Sequence, residues 1–82
     1  MILYLDTSAL VKLYVHEADA EVVRSTVLVA EQVATSGVAY PEARAAFARR
    51  AREGALAAPD HRRLVRDLEV DWSAFVVVPC DE

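Results

Sequence analysis

Met1-Ile2-Leu3-Tyr4-Leu5-Asp6-Thr7-Ser8 opens the chain, and its reading decides the fold. Five apolar residues run without alternation and stop at Asp6. An unbroken run of that kind reads as a parallel strand covered on both faces. Asp6, Thr7 and Ser8 are helix-start residues, because their side-chain oxygens accept from the unpaired N–H groups of a first turn. Leu10, Leu13 and Tyr14 then fall at helical spacing, which predicts a short helix over 7–15.

Outward from that opening the pattern repeats. Residues 16–18 connect to a second helix over 19–30, with Ala20, Val23, Val27 and Ala30 as its stripe. Asp19 and Glu21 sit in its first turn, where the helix dipole favours negative charge. Val33-Ala34-Thr35-Ser36 reads as a short strand, ended by Ser36-Gly37. The third helix carries Glu42 and runs to Glu53, with Gly54 closing it. Its start has two readings: Pro41 at the first helical position, or Ser36 capping a longer helix with Pro41 inside its early turns. Pro59-Asp60 opens a fourth helix over 60–72, whose buried stripe is Val65, Leu68 and Trp72 with Leu64 beside them. Phe75-Val76-Val77-Val78 is another unbroken apolar strand, stopped by Pro79. Cys80 is expected as a buried strand-end thiol, and Asp81 and Glu82 as the cap and first turn of a further helix. Apolar strands alternating with helices predict an α/β fold with a parallel sheet.

Composition excludes several chemistries. With only Gly37 and Gly54, neither a phosphate-binding glycine loop nor a dinucleotide fingerprint can be written. One cysteine and two distant histidines, His16 and His61, cannot make a four-ligand zinc site. The longest uncharged stretch is the ten residues 32–41, against the roughly 20 that a membrane-spanning helix needs. No basic residue precedes the first apolar run, so a secretory signal is not expected, and a lone Cys80 cannot form an internal disulfide. These features predict a cytoplasmic protein. What the chain has in quantity is carboxylate and arginine. Residues 44–66 hold seven arginines against Glu53 and Asp60, a balance of +5, while the remainder is −9.

Two acids follow successive strands. Asp6 lies beyond the carboxyl end of the first, where open parallel sheets place their ligands. It either holds a divalent cation or only caps the helix; both readings stand on the residues alone. Glu42 follows the second strand, at the start of the third helix. Two carboxylates about 5 Å apart repel by about 3 kcal/mol at an effective dielectric near 20, and a cation shared between them removes that cost. Magnesium fits, since it takes oxygen ligands and keeps several waters. A solvated Glu42 paired with Arg49 or Arg44 is the plainer alternative. Thr7 and Ser8 can donate to a phosphate or a metal-bound water, or act as caps. Lys12, one turn beyond Ser8, can reach the same mouth or lie along the surface. The arginines of 44–66 can track a phosphate backbone or line solvated helix faces.

The segment Leu3-Tyr4-Leu5-Asp6-Thr7-Ser8-Ala9-Leu10-Val11-Lys12-Leu13-Tyr14 resembles the opening of PIN-domain ribonucleases, most nearly the VapC-type toxin of VapBC toxin–antitoxin pairs. Thr35-Ser36 through Tyr40-Pro41-Glu42-Ala43-Arg44 resembles the family's second acidic motif, and residues 75–82 its third strand and following turn. The resemblance implies a Rossmann-like three-layer α/β/α fold. It also implies RNA cleavage dependent on Mg2+ or Mn2+, with an RNA substrate and an antitoxin as partners. Asp6 and Glu42 match the first two of the family's three or four carboxylates and would be catalytic and metal-holding; Thr7, Ser8 and Lys12 would meet the substrate. The family's later acids lie beyond Glu82, so residues 1–82 are expected to be the N-terminal portion of one PIN-like domain, with three strands, about four helices and impaired catalysis. The alternative is a non-catalytic interaction module that binds an antitoxin or another copy. In the family's sheet the first strand is central, so here its far edge is expected to be open and to favour a homo-oligomer. Haloacid-dehalogenase-like enzymes need a second Asp two positions after the first; Ser8 stands there.

Overall fold

A computed structural model of the chain describes residues 1–79. Cys80, Asp81 and Glu82, and the expectations attached to them, lie outside the described residues. The order is β1 (Ile2–Leu5), α1 (Thr7–Lys12), α2 (Ala20–Val29), β2 (Gln32–Ser36), α3 (Ala39–Arg52), α4 (Ala58–Trp72) and β3 (Val76–Val78). The three strands form one parallel sheet in the order β1-β2-β3. The class is the expected one, α/β with a parallel sheet and four helices, and it is consistent with part of a Rossmann-like α/β/α fold.

Register fixes which residues share a face. Leu3 pairs with Val33, Leu5 with Thr35, and Thr35 with Val77. Side chains alternate along a strand, so these residues look one way and Ile2, Tyr4, Ala34, Val76 and Val78 look the other. Helices cover the first face: Leu10 and Val11 of α1, Ala39, Ala43 and Phe47 of α3, and Leu64 and Leu68 of α4 close on Leu5, with Leu3 and Val33 at the margin. From α2, Val23 and Val27 join that core and Ala20 is buried. The second face is open except at Ala34, which is buried. Ile2 is 73% exposed, Tyr4 55%, and Val76 and Val78 nearly half.

That opening corrects the expectation that the first strand is covered on both faces. The reason is directional. From β1 to β2 to β3 the chain steps the same way across the sheet. Each step is a crossover between parallel strands, and right-handed crossovers in one direction put all their helices on one face.

Helix boundaries follow local chemistry. α1 ends at Lys12, earlier than expected, because the next turn tightens: the Leu13 and Tyr14 amides bond three residues back, to the Leu10 and Val11 carbonyls at 3.1 and 3.0 Å. α3 starts at Ala39, between the two expected starts. Ser36 does not cap the helix itself; its Oγ accepts from the Val38 amide at 3.3 Å and turns the chain out of β2. Pro41 then sits in the first turn, where its missing N–H has no intrahelical acceptor to lose. Gly54 closes α3 with φ +80°, a left-handed conformation that glycine adopts without steric cost.

Candidate functional site

Asp6 is where it is because β1 ends there. Thr35, buried in β2, donates its hydroxyl to the Leu5 carbonyl at 2.8 Å, which ties the last residue of β1 to the neighbouring strand. The next residue, Asp6, stays extended and caps α1: its Oδ1 accepts from the Ala9 amide at 2.9 Å and, more weakly, from the Ser8 hydroxyl at 3.4 Å. Both contacts use one carboxylate oxygen, so Oδ2 is left for another partner. Glu42 stands in the first turn of α3, where its amide closes the first helical bond to Val38 at 3.2 Å. The helix dipole favours its negative charge there.

Thr7, the residue that follows Asp6, ties Glu42 down: its hydroxyl donates to Glu42 Oε1. The mouth at the carboxyl end of β1 thus holds one acid as a cap and a second acid held by the adjoining hydroxyl. Neither Arg44 nor Arg49 forms an ion pair with Glu42 among the described residues. No cluster of three or more His, Cys, Asp or Glu that could hold a metal forms among the described residues.

A groove of about 580 Å³ opens between α1 and α3 beside this mouth. Four of the five residues singled out from sequence line it: Thr7, Ser8, Lys12 and Glu42; Asp6 is not in its wall. Arg49 joins them from α3, seven residues after Glu42 and so on the same helical stripe. Its spacing to Glu42 was the signal for a groove residue, whereas the sequence reading treated it as an ion-pair partner or as one of seven arginines that could track a phosphate backbone. At the groove wall, Arg50 and Glu17 form an ion pair at 2.8 Å. Nothing local in the sequence announces that pair, since it joins the connector after α1 to α3 across 33 positions.

The donors suit a hard cation. Asp6 and Glu42 offer carboxylate oxygens, and Thr7 and Ser8 add hydroxyls, with no sulfur or imidazole beside them among the described residues. Such a set matches Mg2+ or Mn2+ better than zinc or copper. Lys12 and Arg49 supply positive charge along the same groove.

No protein-family model matches the chain, and no curated protein does. No helix among the described residues is long and apolar enough to cross a membrane.

Proposed function

We propose that the mouth formed by Asp6, Thr7 and Glu42 is the acidic site of a metal-dependent endoribonuclease of the PIN type, acting on RNA phosphodiesters in the cytoplasm. The observation that carries the reading is the Thr7–Glu42 hydrogen bond, which links the acid motif after β1 to the acid motif of α3 across 35 positions. A Mg2+ or Mn2+ held at this mouth would supply water activation and phosphodiester polarisation. Asp6 and Glu42 would hold that ion. Thr7 orients Glu42, Ser8 steadies Asp6, and Lys12 and Arg49 hold the phosphate backbone in the groove. Two carboxylates leave such an ion mostly water-ligated, so binding is weak and turnover slow. An antitoxin protein is the second partner that goes with this reading.

The test is Mn2+ titration followed by paramagnetic relaxation, paired with cleavage of a labelled RNA. Weak binding and slow metal-dependent cleavage are expected, both lost in an Asp6→Asn, Glu42→Gln double variant. Metal binding or cleavage equal in wild type and double variant sinks the assignment.

A second reading is a non-catalytic interaction module that pairs with another copy. It is favoured by the exposure of Ile2 and Tyr4 on β1.

A further inference from the structure

Seven arginines lie in residues 44–66, and the groove at the acidic mouth uses only Arg49 and Arg50. Arg63 is paired with Asp60 at 2.8 Å. Arg44, Arg62 and Arg66 enter none of the ion pairs among the described residues. All three are exposed, and they meet at one place. Together with His61 and Val65 they line a cleft of about 330 Å³ along the seam between α3 and α4.

We infer that this cleft is a docking strip for the phosphodiester backbone of single-stranded RNA, separate from the acidic mouth. Arg62 and Arg66 are four residues apart on α4, about 6 Å along its axis. Arg44 faces them from α3, so the three cations flank a single track. Their guanidinium groups present planar forks that match phosphate oxygens. Val65 gives the track an apolar floor.

An aromatic ring lies at the strip's edge. The Arg44 guanidinium carbon stands 5.8 Å from the centre of the half-buried Tyr40 ring, which Trp72 holds edge-on at 5.3 Å. Cationic tracks beside fixed aromatic faces are how proteins hold single strands, the rings stacking bases while the cations follow phosphates. A purely acidic protein segment would use the cations and leave the ring idle. Charge elsewhere on the chain is net negative, so a polyanion is directed to this strip and repelled from most other surfaces.

The strip also stands in a fixed relation to the mouth. Arg44 is two residues after Glu42, about 200° around α3 and only about 3 Å further along it. The strip and the mouth therefore lie on opposite flanks of α3, and an RNA strand would have to cross the start of that helix to reach both. This part of the inference rests on the ribonuclease reading; binding at the strip does not.

The test is fluorescence anisotropy of a labelled oligouridylate with the full chain, in EDTA so that no metal-dependent cleavage occurs. An Arg62→Gln, Arg66→Gln double variant is compared with an Arg24→Gln, Arg63→Gln variant that loses the same two charges. The strip variant is expected to bind about tenfold more weakly, and its salt slope to fall by about 1.4, at about 0.7 per phosphate contact for single strands. The control is expected to change the affinity little. Equal losses in both variants, or no binding by the wild type, overturn the proposal. So does polyglutamate competing as well as oligouridylate, which assigns the strip to an acidic protein. Binding that survives in Asp6→Asn while cleavage does not separates failure of the acidic mouth from failure of the strip.

Discussion

Asp6 has a structural task and a proposed chemical one, and substitution separates them. Its Oδ1 caps α1, and asparagine caps about as well as aspartate. Asp6→Asn is therefore expected to leave stability within a few tenths of a kcal/mol while abolishing metal affinity, whereas Asp6→Ala also loses about 1 kcal/mol of stability. Urea denaturation beside metal titration checks both; an Asp6→Asn variant that still binds Mn2+ like wild type removes Asp6 from the site. Tyr14 gives a pH signature of its own. Burial first, and then its hydrogen bond to Asp71 at 2.9 Å and that acid's charge, push its phenol far above the ordinary value near 10. The unfolded chain then releases a proton that the folded chain keeps, so Tyr14's contribution is present in full below pH 10 and declines as pH rises past it. Tyr14→Phe is expected to flatten that alkaline decline in a series of denaturation curves, and a decline of the same steepness in the variant refutes the assignment. At this scale the sequence showed which acids to watch, because strand ends and helix starts mark them. It could not show that Thr7 would hold Glu42 or that Glu17 would meet Arg50, because those contacts depend on how α1 and α3 pack.

The elements were legible where one local signal dominated. Apolar runs at 1–5 and 75–78 became β1 and β3, and Gly54 ended α3, because strand runs and a left-handed glycine need no tertiary help. The end of α1 and the start of α3 were not, because each is settled by a few backbone bonds that sequence does not rank. Two substitutions test the element-level account. Gly54→Ala places a Cβ at φ +80° and is expected to cost about 1–2 kcal/mol, although nothing lies near enough to clash. Thr35→Val keeps the shape but removes the donor to the Leu5 carbonyl, at a cost of about 1 kcal/mol. It should also loosen the end of β1 from which Asp6 projects. Faster amide exchange at Asp6 to Ala9 in Thr35→Val is the expected reading; unchanged exchange there would mean that the sheet ladder alone fixes Asp6.

For the molecule as a whole, the direction of the sheet explains both what is buried and what is not. One layer of helices lies on the face of Leu3, Leu5 and Thr35, and nothing among the described residues covers the face of Ile2, Tyr4, Val76 and Val78. Among those residues β1 also pairs with a strand on one side only. Periodicity could not foresee this, since an unbroken apolar run describes a strand that wants cover on both faces and not whether its own chain supplies it. Free backbone donors and acceptors beside an apolar face favour pairing with another chain. A second copy satisfies both at once: antiparallel pairing of β1 with the partner's β1 about a two-fold axis continues the sheet and extends its open apolar face. Self-association through β1 is thus expected. Light scattering over a concentration series should show mass rising above that of one chain. Ile2→Lys and Tyr4→Lys put charge on the open face and the edge strand, and should hold the chain monomeric without disturbing the helix-covered core. A wild-type chain that stays a compact monomer at high concentration, with slow amide exchange along β1, would show that the edge is already protected within one molecule.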